Sequence, residues 1–345
     1  MIHKKFKFIL ITFLFILNDI SFAEVKFKSL NDLSSHIKKS GFNGVILVMK
    51  GNKTLMRESF GYRDIESKTP IQITDKFQIG SNTKQIVAAA VLKLQEQGKL
   101  SLEDEVTKYL PAYTQFNDIK VRDLLNHTSG IANYTEHKNF MASRTYKKVF
   151  SLDDIIDHLA KSKLDFKPRS KWKYSNGGFI VAGKIIELAS GESWYDYVKR
   201  EILIPIGMND TDHKVFFEKV SKVRCHLNGS VVRNLNLSWA LSAGSLHSTV
   251  DDMAKWLSVY SDSDVLESYS KKLMQTPNKN GYALGVYSYP FGTDHLITHV
   301  GVTRGFFSKT YYLKKSKIKI VTIDNMNGQF KNIPDLVLNY FYKNY

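Results

Sequence analysis

One segment of the chain joins a polar start to a helix that is apolar on every side. It reads Phe77-Gln78-Ile79-Gly80-Ser81-Asn82-Thr83-Lys84 and continues as Gln85-Ile86-Val87-Ala88-Ala89-Ala90-Val91-Leu92. A helix with small and apolar residues around its whole circumference is buried in a core, not laid on the surface. We therefore predict a buried helix from about 81 to 97, with Gly98 just beyond its end.

Ser81 and Lys84 stand three residues apart at the start of this helix, so their Cβ atoms are about 5–6 Å apart on one face. A hydroxyl beside a buried amine is the outline of an acyl-transfer nucleophile with its base. A serine at this position is also a common N-cap. The same Ser-x-x-Lys letters begin elsewhere in this lysine-rich chain, at Ser35, Ser170, Ser268 and Ser316. The assignment therefore depends on partners from other segments.

Strand patterns occupy both ends of the chain and helical patterns its middle. The predicted strands are 44–50, 55–62, 282–289, 295–299, 306–313 and 317–324. Besides the buried helix, the predicted helices are 30–39, one begun by a capping box at 101–104 and stopped by Pro111, and then 121–125, 151–159, 177–190, 195–203 and 334–342. This order favours the α/β class (α+β type): one antiparallel sheet from the two termini, flanked by helices, with a mainly helical inserted region. We expect one catalytic domain over 24–345, with its sheet layer at about 24–80 and 282–345 and its helical region at about 81–281.

The first 23 residues read as a secretory signal peptide. A basic start is followed by a short apolar run from Phe8 to Leu17 and a small-x-small site ending at Ala23. The run is shorter than the ~20 residues of a membrane span, so no anchor is expected in the mature chain. We predict a secreted or periplasmic protein.

Cysteine content and charge exclude several classes of function. Cys225 is the single cysteine, so no intrachain disulfide and no cysteine metal cluster can form. The formal net charge is +16, but the lysines are dispersed and no nucleic-acid motif accompanies them. The expected partner is a small-molecule or peptide substrate, with no nucleic acid and no cofactor, and the oligomeric state is left open.

Two later segments carry polar residues next to glycines. The first is Tyr174-Ser175-Asn176-Gly177-Gly178, which suits a loop that projects Tyr174 and Asn176 into a cleft. The second is Thr298-His299-Val300-Gly301 on a C-terminal strand. His295 lies four residues before His299 on the same strand face, but no further ligand set accompanies them, which argues against a metal site.

Ser81-x-x-Lys84, Tyr174-x-Asn176 and His299-x-Gly301, in this order, resemble the three motifs of the penicillin-binding, serine β-lactamase-like hydrolases. Tyr174 makes the chain most similar to the branch of class C β-lactamases, D-aminopeptidases and esterases. Further matches are 124–131, which contains His127 and Ser129, then 205–211 and 242–245. The resemblance implies a β-lactamase/transpeptidase-like fold, a structural role for the His127 loop, and oxyanion donors in the backbone N–H groups of Ser81 and Val302.

The chemistry of these residue types agrees with the resemblance. Burial should lower the pKa of Lys84, and a lysine cation nearby should lower the pKa of the Tyr174 phenol. Either group could take the proton of Ser81. Our working hypothesis is Tyr174 as the general base, with Lys84 setting its pKa and Asn176, His299 and Gly301 lining the substrate side.

His299 departs from the lysine that many β-lactamases and transpeptidases carry at this position. A histidine is mostly neutral at pH 7 and binds a substrate carboxylate less well than a permanent cation. Arg304, three residues beyond Gly301, is a candidate to restore that charge. The sequence therefore predicts an exported serine hydrolase acting on an ester or amide, with a D-amino-acid peptide of the cell wall as one candidate substrate. The alternatives are a true class C-like β-lactamase and a non-catalytic penicillin-recognising sensor or scaffold.

Overall fold

The computed structural model describes residues 27–143, 148–216, 221–227, 230–232 and 236–345. The predicted signal peptide, residues 1–23, lies outside the described residues. Within the described ranges, no helix has both the length and the apolar composition needed to cross a membrane.

A six-stranded antiparallel sheet forms the centre of the fold. The strands are β1 (Gly44–Lys50), β2 (Lys53–Phe60), β3 (Tyr62–Asp64), β4 (Thr69–Pro70), β5 (Phe77–Gln78), β6 (Cys225–Leu227), β7 (Ser230–Val232), β8 (His247–Ser248), β9 (Tyr287–Phe291), β10 (Asp294–Val302), β11 (Phe307–Leu313) and β12 (Ile318–Asp324). The large sheet has the order β2-β1-β12-β11-β10-β9, and the remaining strands form two-stranded pairs. β1 pairs with β12, with Leu47 opposite Val321, so the N-terminal hairpin joins the C-terminal strands as predicted.

Helices cover both faces of this sheet. They are α1 (Leu30–Lys39), α2 (Thr83–Glu96), α3 (Val121–Leu125), α4 (Lys138–Ala142), α5 (Leu152–Ala160), α6 (Asn176–Ser190), α7 (Trp194–Val198), α8 (Leu241–Gly244), α9 (Val250–Leu257), α10 (Ser268–Gln275) and α11 (Asn332–Asn344). Successive side chains of a strand point in opposite directions, so those of β1 contribute alternately to the two faces of the sheet. Ile46 and Val48 pack with α1 and α11, whereas Val45 and Leu47 face the larger core that contains α2.

The apolar helix α2 is buried from Thr83 to Leu92, as its composition predicts. A short 3-10 turn, Gly80–Asn82, precedes it. Beyond its end, Gly98 has a φ of +68°, the left-handed conformation that favours glycine. The helix thus lies in the core and places its polar first turn at one edge of the sheet.

Three predicted elements were wrong in detail. The capping box at 101–104 starts no α-helix: the Ser101 N–H donates to Asp104 Oδ2, but the Val106 N–H donates to the Ile119 carbonyl and draws the chain away. The strand predicted at 282–289 begins only at Tyr287, because Ala283 and Val286 close a turn around Gly285. The predicted helix 195–203 is α7 followed by a π-helical turn, Lys199–Leu203. The helices α4, α8, α9 and α10 were not predicted.

Candidate active site

Two glycines bring the turn that carries Ser81 against the end of β10. A Cβ atom on Gly301 would lie 1.9 Å from the Ile79 carbonyl oxygen, and one on Gly80 would lie 2.7 Å from the Val302 nitrogen. Gly80 also has a φ of +51°. Only residues without side chains allow this contact, which places the half-buried Ser81 beside Gly301 and Val302.

Lys84 is fully buried directly beneath Ser81. Its Nζ lies 3.0 Å from Ser81 Oγ, 2.7 Å from Asn176 Oδ1 and 2.6 Å from the Ala243 carbonyl oxygen. Each of these partners is neutral, so burial lowers the pKa of Lys84 well below its usual value, the direction predicted from the sequence. Lys84 therefore connects the first motif to the second.

Tyr174 and Asn176 enter the same cleft from the start of α6. The Lys84 Nζ lies 5.1 Å from the centre of the Tyr174 ring, and the Tyr174 phenol hydrogen-bonds with Ser81. The Asn176 amide nitrogen donates to Asn133 Oδ1 at 3.1 Å and Thr135 Oγ1 at 3.2 Å. Because that nitrogen is occupied, the Asn176 carbonyl oxygen is turned towards Lys84.

The predicted lowering of the Tyr174 pKa was wrong. Burial of the phenol raises its pKa, and the hydrogen bond to Ser81 offsets this only in part. The prediction assumed a charged lysine nearby, but burial also disfavours the charged form of Lys84. At neutral pH Tyr174 is a phenol, not a phenolate.

His299 forms the opposite wall, with its ring centre 6.5 Å from that of Tyr174. Its Nδ1 lies 2.8 Å from the Val300 carbonyl oxygen, which can only accept, so Nδ1 carries the proton. Its Nε2 then accepts from the Tyr282 hydroxyl at 2.9 Å. Burial, with the nearby Lys84, lowers the pKa of His299 to about 3. The imidazole is neutral and both of its nitrogen atoms have partners.

The remaining predicted residues lie where β10 ends. Val302 is 36% exposed next to the Ser81 turn. Arg304 is exposed in the connection between β10 and β11, and its side chain makes no ion pair with any carboxylate in the described ranges.

His295, considered with His299 as a metal pair, instead has its Nε2 2.8 Å from Ser288 Oγ. Within the described ranges, no group of three or more His, Cys, Asp or Glu residues is placed to hold a metal ion.

Sequence reasoning did not assign several groups that complete the site. The Ala243 carbonyl lies within 242–245, a segment noted only for its resemblance. Tyr282 falls at the start of a mispredicted strand, and Asn133 lies in a loop without regular pattern. None of these positions carries a signal in its residue type, since each acts through a backbone carbonyl or through one or two hydrogen bonds.

Three features together define a class of proteins. They are the sheet built from both termini, the inserted helical region and the three polar segments that meet at Ser81. This class is the penicillin-binding and β-lactamase-like serine hydrolases. The chain belongs to the beta-lactamase family, whose sequence model matches residues 31–333.

Two relatives show how far the similarity extends. Penicillin-binding protein 4* of Bacillus subtilis (strain 168) is 36% identical over 189 residues, 54% of this chain and 41% of that protein. Protein flp of Staphylococcus aureus (strain NCTC 8325 / PS 47) is 27% identical over 310 residues, 85% of this chain and 61% of that protein. The chain therefore spans only 41% and 61% of the length of these two relatives.

Solved structures share the fold. D-amino acid amidase from Ochrobactrum anthropi SV3, in complex with L-phenylalanine amide, superposes with a TM-score of 0.80 at 23% identity, covering 91% of this chain and 99% of that one. An octameric penicillin-binding protein homologue from Pyrococcus abyssi gives a TM-score of 0.77 at 28% identity, covering 91% and 78%. The predicted fold class is thereby confirmed.

Proposed function

We propose that this protein hydrolyses neutral amides or esters of D-amino acids through an acyl-enzyme on Ser81. The observation that carries this proposal is the set of three contacts around the buried Nζ of Lys84. They hold the amine, whose pKa is lowered by burial, at hydrogen-bonding distance from the serine hydroxyl.

Lys84 is the better candidate for the base that activates Ser81. The Asn176 and Ala243 oxygens can only accept hydrogen bonds, so they take two N–H groups of Lys84. A neutral amine has two such groups and one lone pair, and the lone pair is then left for the proton of the Ser81 hydroxyl. This assignment replaces our working hypothesis of Tyr174 as the base.

Tyr174 carries its proton at neutral pH, because burial raises the pKa of the phenol, and it lies next to Ser81, so it is the proposed proton donor. In acylation, Ser81 Oγ attacks the carbonyl carbon while its proton passes to Lys84. Tyr174 then protonates the leaving nitrogen or oxygen as that bond breaks, and the phenol is restored by the proton that Lys84 holds. The backbone N–H groups of Ser81 and Val302 are the proposed oxyanion donors, supported by the close approach of Gly80 to Val302.

The neutral His299 supports a substrate without a carboxylate next to the scissile bond. Its two nitrogen atoms are already bonded, so the ring offers no cation and no free N–H to a carboxylate. One structural neighbour is a D-amino acid amidase, solved in complex with L-phenylalanine amide and also with L-phenylalanine and with D-phenylalanine. Asn176, Gly301 and Arg304 complete the proposed substrate side, with the exposed Arg304 proposed to contact substrate groups further from the scissile bond.

Export and a cell-wall source for the substrate are part of the proposal. Residues 1–23 have the pattern of a signal peptide. Cleavage after Ala23 removes three lysines and one aspartate, a net charge of +2, and leaves a mature chain that retains most of its formal charge of +16. Such a chain is attracted to anionic envelope polymers.

The first test is labelling by a fluorophosphonate. Ser81→Ala should abolish labelling, whereas Ser268→Ala, which removes the serine of another Ser-x-x-Lys tetrapeptide, should leave it intact. Labelling that persists in Ser81→Ala would refute Ser81 as the nucleophile, and a parent protein that is not labelled would favour a non-catalytic scaffold.

The second test is a substrate panel. D-phenylalanine amide and its esters should be hydrolysed faster than a D-Ala-D-Ala dipeptide with a free carboxylate or a chromogenic cephalosporin. If the cephalosporin had the highest kcat/KM, the protein would be a β-lactamase and the proposed substrate class would be wrong.

A further inference from the structure

His127 lies in the loop after α3 and packs directly against Tyr174. It is 1% exposed, and its ring centre lies 4.3 Å from that of Tyr174 and 4.5 Å from that of Tyr282. Its φ of +63° is rare for a residue other than glycine. A large side chain is thus held in an unfavourable backbone conformation at the edge of the site.

His127 bonds to the chain on both sides of Tyr174. The Lys173 N–H donates to the His127 carbonyl oxygen at 3.1 Å, and the Ser175 N–H donates to His127 Nδ1 at 3.2 Å. The two residues that flank Tyr174 are therefore both anchored to His127 through their backbone N–H groups. Movement of His127 would shift the backbone from which the phenol projects.

The anchoring requires a neutral imidazole. Nδ1 accepts a hydrogen bond, so the ring proton is on Nε2, which is buried and lacks a hydrogen-bond partner within the described ranges. The titratable groups around the ring are Lys84, Tyr174, Tyr282 and His299. Burial, together with Lys84 and His299, lowers the pKa of His127 well below its usual value.

The alternative use of His127, as a base for Ser129, does not fit these contacts. Nδ1 is occupied by the Ser175 N–H, and Ser129 Oγ accepts from the Ile131 N–H at 3.2 Å. Both side chains are engaged with backbone groups of their own neighbourhood.

We propose that His127 is a positioning residue that holds Tyr174 where its hydroxyl can protonate the leaving group. The inference rests on the proton-donor role proposed for Tyr174. It assigns to His127 an effect on leaving-group departure that a role in folding alone does not predict.

Two substitutions separate the contribution of the His127 hydrogen bond from that of its ring. His127→Asn places an amide oxygen near the position of Nδ1, and asparagine tolerates a positive φ. His127→Phe keeps a ring of similar size but removes the acceptor for the Ser175 N–H. The readout is the acylation rate of D-phenylalanine amide, whose leaving nitrogen needs a proton, against that of its p-nitrophenyl ester, whose leaving phenolate needs none.

His127→Phe should slow acylation by the amide by about 10²-fold, the scale of a 1 Å misplacement, with little change for the p-nitrophenyl ester. His127→Asn should recover most of the amide rate. An equal loss for both substrates in His127→Phe would overturn the inference, as would an equal loss for the amide in the two variants.

Two controls make the result interpretable. His226→Phe also removes a buried acceptor from a backbone N–H, that of Ile65 at 3.3 Å, and should not change the ratio of the two rates. Tyr174→Phe should show the amide-selective loss. If Tyr174→Phe slows both substrates equally, the proposed role of Tyr174 fails; if it is selective and His127→Phe is not, only the inference on His127 fails.

Discussion

Lys84 Nζ lies 2.7 Å from Asn176 Oδ1, and this contact links the start of α2 to the start of α6. The amide has no net charge, so it holds the amine in place while favouring its ammonium form less than a carboxylate would. The contact thus fixes the lysine's direction and leaves its lowered pKa intact.

Replacing this amide by a carboxylate should therefore inactivate the base. In Asn176→Asp the nearby anion favours the ammonium form of Lys84, raises its pKa and lowers the fraction of free amine at pH 7. On the acidic limb of the pH–rate profile, each unit by which the pKa of Lys84 rises should lower the acylation rate about tenfold. The limb should also move to higher pH. The measurement is the pH dependence of the acylation rate, with the exposed Asn139→Asp as the control. An unchanged limb in Asn176→Asp would show that Lys84 is not the base.

Gly301 should tolerate no side chain. In Gly301→Ala the new Cβ would lie 1.9 Å from the Ile79 carbonyl oxygen, so β10 and the Ser81 turn must separate. We expect a loss of about 1–3 kcal/mol in the free energy of unfolding, and slower acylation by the folded enzyme. Urea unfolding measures the first effect. Gly244→Ala, whose Cβ would find its nearest neighbour at 3.5 Å, should be less destabilising, and equal costs would contradict this account.

The Tyr282 hydroxyl should contribute to stability through His299. Tyr282→Phe removes the donor to Nε2 and leaves a buried acceptor without a partner. The expected cost is about 1–3 kcal/mol in the free energy of unfolding. Tyr269→Phe, at a side chain that is 67% exposed, serves as the control in the same denaturation experiment. A Tyr282→Phe protein as stable as the parent would show that the hydrogen bond is absent in solution.

Asp324, buried at the end of β12, should make stability depend on pH. Its carboxylate accepts only the N–H groups of Met326 and Gly328 among the described residues, and burial raises its pKa from 3.8 to about 7. The folded state therefore keeps the proton to a higher pH than the unfolded state. The corresponding stability is fully present below about pH 4 and is lost as pH rises through 7.

Asp324→Asn keeps an oxygen acceptor and removes this titration. The stability of the variant relative to the parent should increase by about 1.4 kcal/mol per pH unit, at most, between pH 4 and pH 7. Urea unfolding at pH 5 and pH 8 measures the difference. Parallel pH dependence in the two proteins would mean that Asp324 is ionised normally in the folded state.

Much of this fold could be predicted because its elements carry local signals. The helix α2 is apolar on every side, and β1 is a run of branched apolar residues, so both were placed to within a few residues. Gly285 and Asp104 show the limit of such signals. At Gly285, a turn that packs against the backbone of Lys84 interrupts the predicted strand. After Asp104, the hydrogen bond from the Val106 N–H to the Ile119 carbonyl directs the chain away from the helix that the capping box predicts.

The members of the site were predictable from motifs, but their protonation was not. The pKa of Tyr174 depends on whether its neighbour Lys84 is charged, and that depends on burial and on neutral partners contributed by α6 and the Ala243 carbonyl. No spacing in the sequence reports these three-dimensional contacts. The same holds for His127, whose two bonds beside Tyr174 appear only when the loops are assembled.

The central claim is that Ser81 forms the acyl-enzyme. The most direct measurement is mass spectrometry of the protein quenched during turnover of a D-phenylalanine ester, followed by peptide mapping of the adduct. We expect an added acyl mass on the peptide that contains Ser81, and no adduct in Ser81→Ala. An adduct on another residue, or turnover that continues in Ser81→Ala, would contradict it.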